Sequence, residues 1–185
     1  MAPRTLQLSE KQKTAYAPIS SLQETVETIQ GDALQYARSL SRGSIQESPL
    51  GELLQNPQFF ENFKFGFADY VAGTIAAHDE YVQEVYYFDP NLNPDAQTET
   101  DLPLDASINL LVVVESKTAA LQSFIEALDR ALTQQIRQLP SSMLADLNSI
   151  LNAIIITEED IAHGRGYAVL LYSLFNKPRR VWPRS

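Results

Sequence analysis

The chain carries few residues equipped for covalent or metal chemistry. Of 185 residues none is cysteine, which excludes a thiolate nucleophile, a thiolate metal site and a disulfide framework. The two histidines, His78 and His163, are far apart in sequence. His78 falls in helical spacing with apolar residues, so it reads as a helix-face histidine satisfied by its neighbours rather than as a base. Gly-x-Ser-x-Gly, P-loop, His-Glu-x-x-His and EF-hand patterns do not occur. Gly164-Arg165-Gly166 has no third glycine and no strand directly before it, so it reads as a turn leading into a helix. The polar residues most favourably placed stand where apolar runs begin. Ser107 and Asn109, two apart, precede Leu110 to Val114, and Asn152 precedes Ala153 to Ile156. Taken alone they are side chains able to hydrogen-bond to neighbouring loops.

Elements that would position these residues are legible in the spacing. Leu22, Val26, Ile29, Ala33, Ala37 and Leu40 follow Ser21-Leu22-Gln23-Glu24, which has the form of a capping box, and predict a helix from about 21 to 41. Ser48-Pro49 and Asn56-Pro57 each put an N-capping residue before a proline. The second opens a longer helix with Phe60, Phe63, Phe67, Tyr70, Val71, Ile75 and His78 near one stripe, while Phe59 and Phe65 lie off it. The off-stripe pair suits either a partner-binding patch or packing against the N-terminal helices. Val85 to Phe88 is β-branched and aromatic, and the proline- and acid-rich Asp89 to Asp105 reads as a long loop. Ile108 to Val114 is apolar on both faces, as a covered central strand would be.

A cap at Ser116 or Thr118 then starts a helix ended by Pro140. Met143 to Ile150 reads as a short amphipathic piece, Ala153 to Ile156 as a strand, and Thr157-Glu158-Glu159-Asp160 as a second capping box. Tyr167 to Phe175 is expected to be helical and Arg179 to Trp182 a last short strand. Lys177, Arg179, Arg180 and Arg184 form a basic segment, either solvated or docked on an acidic partner or phosphate. This order predicts an α/β (α+β) fold, a small mixed sheet of about four strands covered by helices. Residues 1–18 are expected to be a flexible tail, 19–57 an N-terminal helical extension and 58–185 the main domain.

Helix, strand ending Val85-Tyr86-Tyr87-Phe88, loop, and strand Ser107 to Val114 together resemble the core of the polymerase-β-like nucleotidyltransferase superfamily. Leu151 to Ile156 takes the place of the later strand, so the resemblance covers roughly residues 60 to 183. In that family the first strand ends in Phe-Gly-Ser, the second begins Asp-x-Asp, and a third carboxylate lies on the later strand. Carried over residue by residue, the Gly-Ser pair falls on Asp89 and Pro90, the two carboxylates on Ser107 and Asn109, and the third on Asn152. The family's carboxylates hold divalent metals that bridge nucleotide phosphates. Asparagine keeps an oxygen but not the charge that makes a hard-cation site strong. Asp89 would repel a triphosphate, and Pro90 has no N–H to offer it.

The resemblance therefore implies a catalytically degenerate member that binds a protein or small nucleotide, in a regulatory or scaffold role, with no catalytic residue and no cofactor. The alternatives are an active nucleotidyltransferase, needing Mg and using Asp105 or Asp101 instead, and an unrelated α/β interaction module. With 14 Lys+Arg against 23 Asp+Glu and a formal charge of -9, general nucleic-acid binding is not expected. No apolar run approaches the roughly 20 residues that span a bilayer, and no secretory signal pattern stands at residues 1–18. A cytoplasmic, non-membrane protein is expected.

Overall fold

A computed structural model of the chain describes residues 22–41, 48–88, 106–174 and 177–183. Seven consecutive residues of strand β2 (Ile108–Val114) are all buried, so β2 needs cover on both faces, and the fold is organised around supplying it. β1 (Val82–Phe88) runs antiparallel to β2, and β3 (Leu151–Thr157) runs parallel to it on the other side. β4 (Arg179–Trp182) pairs antiparallel with β1, giving a mixed four-stranded sheet in the order β3-β2-β1-β4. Helices packed on this sheet make the α+β architecture that the element order predicts.

Residues at even positions of β2 point to one face and join a single core with α1 (Leu22–Leu40), α3 (Pro57–His78) and α4 (Ala119–Ile136). α3 lies over β1, β2 and β4, α4 reaches β3, and α1 packs on α3 and α4. The N-terminal helix thus shares the sheet's core: Val26, Ile29, Ala33 and Ala37 are buried within it. A parallel β2–β3 pair requires a long crossover, which α4 provides. The opposite face carries Leu111, Val113 and Ile156, and its cover is thinner. Ala168, Leu170 and Leu171 of a 3-10 helix (Gly166–Tyr172) lie there with Ile161 of α6 (Glu158–Ala162).

Local capping follows the residue types. Asn56 accepts from the Phe59 N–H at 3.0 Å and Thr118 from the Leu121 N–H at 3.1 Å. Thr157 and Asp160 exchange reciprocal bonds as a capping box for α6. The Ser48-Pro49 pair departs from expectation. Pro49 itself occupies the cap of the single turn α2 (Leu50–Leu53), with no side-chain bond. Ser21 lies outside the described residues. α4 stops at Ile136, before Pro140, consistent with the bias against helix in the residues leading into proline. Of Met143 to Ile150 only the start is helical, in the single turn α5 (Ser142–Ala145), before the chain extends into β3. Tyr167 to Phe175, expected to be an α-helix, is a 3-10 helix only as far as Tyr172, with Phe175 outside the described residues. Gly164 and Gly166, at φ 59° and 53°, make the left-handed turn between α6 and this helix, a conformation only glycine adopts cheaply.

The aromatic cluster on α3 resolves into packing. Phe59, Phe60, Phe63 and Phe67 are each at most 1% exposed. Phe65 meets Tyr36 of α1 at 6.2 Å and Tyr87 of β1 at 6.0 Å, with the Arg179 guanidinium 4.0 Å above its ring. α3 is apolar on more than one face because helices press on one side and the sheet on the other. His78, placed on the apolar stripe by spacing, is exposed and stacks on Phe124 at 3.6 Å.

Gly66 marks the closest approach of α1 and α3, since a Cβ there would stand 2.7 Å from Tyr36 Cδ1. Gly66→Val is expected to push the helices apart and lower stability by about 1–3 kcal/mol, the usual cost of overpacking. Urea unfolding of the two proteins measures it.

Candidate functional site

Parallel pairing sets Asn109 of β2 directly beside Asn152 of β3. The Asn152 amide Nδ2 donates to Asn109 Oδ1 at 2.9 Å. Asn109 is only 6% exposed, whereas Asn152 is open to solvent. Both lie on the thinly covered face, because Asn109 alternates with Leu111 and Val113, and Asn152 with Ile154 and Ile156. Phe88 is the β1 neighbour of Asn109, and its ring sits 6.5 Å from that of Tyr167 on the 3-10 helix. Ser107 stands half-buried immediately before β2, two residues from Asn109. Of the polar strand-start residues, then, Asn109 and Asn152 are brought into contact. Asp89, Pro90, Asp101 and Asp105 lie outside the described residues.

This pair does not fit a hard divalent cation. Such ions are held by several oxygen ligands, with carboxylates supplying the charge. Here the Asn109 oxygen already accepts a hydrogen bond, both amides are neutral, and each satisfies part of the other's polar requirement without a metal. Among the described residues no group of three or more His, Cys, Asp or Glu is arranged to hold a metal ion, and no helix is long and apolar enough to cross a membrane.

The position of Asn152 depends on a carboxylate that spacing did not single out. Asp129, on the flank of α4, accepts from the N–H groups of Ile150 at 3.1 Å and Leu151 at 2.8 Å, and from the Thr133 hydroxyl at 3.2 Å. Thr133 in turn accepts from the Ile150 N–H at 3.0 Å. The Arg137 guanidinium, one turn further on, donates to the Leu147 carbonyl. The helix therefore grips the segment entering β3 twice. A short polar residue four before Thr133 on a helix's half-buried side was the available signal, but its partners are backbone groups that no sequence pattern names.

Further along the same face, Tyr86 donates to Glu84 at 2.7 Å, and Arg180 of β4 lies 3.4 Å from Glu84. Burial foremost, and the Glu84 carboxylate next, push the Tyr86 phenol up to about 12. At α6, Asp160 is held below the ordinary carboxylate range, first by the Thr157 backbone N–H and then by Lys117, 3.0 Å away. The basic segment is partly spent inside the fold: Arg179 covers Phe65 and Arg180 pairs with Glu84. Arg184 lies outside the described residues. No family model, curated protein or solved structure matches the chain.

Two outcomes follow. Asp129→Ala strips the Leu151 N–H of its acceptor and should cost about 1–3 kcal/mol, a melting-point fall of roughly 2–4 °C per kcal/mol for a chain of this size. Asp129→Asn, which keeps one acceptor oxygen, should recover part of it. For Tyr86, a raised folded-state pKa means the neutral phenol stabilises the fold fully below about pH 10, and this is lost as pH rises through about 12. Absorbance titration should show one phenol ionising near 12, absent from Tyr86→Phe.

Proposed function

We propose that the chain is a catalytically degenerate nucleotidyltransferase-like protein that acts by binding a protein or small nucleotide rather than by transferring a nucleotidyl group. The observation that carries this reading is the Asn109–Asn152 hydrogen bond across β2 and β3. At these two positions the resemblance calls for carboxylates. Two carboxylates at that separation would repel and need a cation between them. The amides instead bond to each other, so the strand ends are neutral and close without a metal. Accelerating phosphoryl transfer depends on metal and positive charge neutralising the transferred group, and an amide pair supplies neither.

What remains is a recognition surface. Amides offer both donors and acceptors, and Phe88 and Tyr167 place aromatic rings on the same face. The chain order α3, β1, β2, α4, α5, β3 supports the resemblance as layout.

Calorimetry with ATP, GTP, CTP and UTP tests the reading. No nucleotide should bind in a magnesium-dependent way, and tight magnesium-dependent binding of any one of them overturns it. A variant joining Ser107→Asp to Asn109→Asp tests the correspondence itself. Magnesium should raise its melting temperature and leave the unsubstituted protein unmoved, since a ligand that binds only the folded state stabilises it. A variant that folds and ignores magnesium would remove the basis for the resemblance.

A further inference from the structure

We propose that the outer edge of β3 is a self-association surface, where a second copy of the chain pairs antiparallel about Ile154 to extend the sheet across a two-fold axis. β3 stands at the end of the strand order, with β2 its only neighbouring strand among the described residues. The Ile108 N–H donates to the Ile150 carbonyl at 2.7 Å, and Ile108 is in register with Leu151. In a parallel ladder this turns the backbone groups of residues 150, 152, 154 and 156 toward β2 and those of 151, 153, 155 and 157 outward.

Two of the outward donors are already used. The Leu151 N–H goes to Asp129 at 2.8 Å and the Thr157 N–H to Asp160 at 3.0 Å. Ala153 and Ile155 remain, each presenting an N–H and a carbonyl two residues apart. That arrangement is self-complementary. Turned about an axis through Ile154, Ala153 of one copy faces Ile155 of the other and the reverse, making four backbone hydrogen bonds and leaving no open donor. Carboxylate caps on both sides fix this register, because a longer incoming strand would find the N–H groups of Leu151 and Thr157 taken.

Contrast with the other edge supports the inference. β4 has four residues, two of them arginine, lies between Pro178 and Pro183, and pairs with β1 through an irregularity in register. Short length, charge, proline and bulges are how natural sheets blunt an edge. β3 has seven residues with no charge, no proline and an unbroken register, and Ala153, Ile154 and Ile155 are half-exposed. The 3-10 helix packed on the face that Ile154 shares exposes Val169 at 50% and Tyr172 at 62%. Four backbone bonds do not by themselves offset the entropy of association, so burial of these apolar groups is required, and the dimer is reversible. The charge of -9 on each copy opposes pairing, and salt screens that repulsion.

The absence of cysteine allows a direct test. Residues facing each other at a non-hydrogen-bonded antiparallel site have Cα atoms about 4.5 Å apart, within the roughly 4.4–6.8 Å that a disulfide spans. Ile154→Cys should therefore cross-link to a dimer under mild oxidation, while Tyr81→Cys, at an exposed site elsewhere, should not. By light scattering, the mass of the unsubstituted protein should rise toward two chains with concentration and with salt. Ile155→Pro, which removes an outward donor and no bond to β2, should hold it at one chain with an unchanged circular dichroism spectrum. An unsubstituted protein that stays at one chain's mass overturns the proposal and leaves the edge to a different strand. So does Ile154→Cys cross-linking no better than Tyr81→Cys, or a folded Ile155→Pro that still dimerises.

Discussion

Burial of β2 on both faces is the constraint from which the other features descend. Six of its seven residues are apolar, and fully burying them is worth about 9–18 kcal/mol before entropy is subtracted. No two-layer arrangement with one bare sheet face could accommodate that strand. The helices α1, α3 and α4 form one cover, and the 3-10 helix with α6 supplies the other. Because the second cover is a short segment, it shields Leu111 and Val113 but leaves the start of β3 open. The one polar residue of β2, Asn109, lies at that margin and is tolerated there because Asn152 satisfies its oxygen. A buried amide without such a partner would carry a desolvation cost of about 1–3 kcal/mol.

Magnitudes also explain how β4 is held. An exposed ion pair such as Arg180–Glu84 contributes about 0–1 kcal/mol, and a guanidinium over an aromatic ring about 0.5–1 kcal/mol at an exposed site. Val181, buried at 3% exposure, is worth about 1.5–3 kcal/mol. The apolar residue anchors the strand, while the two arginines add only these smaller contacts to α3 and β1.

Sequence periodicity made β2, α1, α3 and the capping residues Asn56, Thr118 and Thr157 legible, because each is set by neighbours a few positions away. It failed where distant groups decide. Phe65 is off the stripe in α3, yet it is packed because Tyr36 and Arg179 reach it from other elements. Asp129 goes unmarked by spacing, since nothing near it reveals that the chain returns some twenty residues later to use it. Tyr167 to Tyr172 has helical composition, but only Ala168 is buried there, and the sheet surface accepts a tighter, shorter coil. Asn109 and Asn152 could be named as polar strand starts, whereas their bond depends on a parallel register that spacing does not specify.

The clasp of β4 on β1 bears on how the chain is made. Arg180 and Glu84 are 96 residues apart, so the outer side of β1 has no partner until the segment after the 3-10 helix has left the ribosome. At about 5–20 residues per second, that interval lasts roughly 5–20 s. From the pairing of β2 with β1 until β4 arrives, the outer edge of β1 is as bare as that of β3 in the finished fold, so the sheet then has two open flanks rather than one. Vectorial synthesis therefore makes the docking of this small strand the step that closes one flank of the sheet and leaves β3 as the open one.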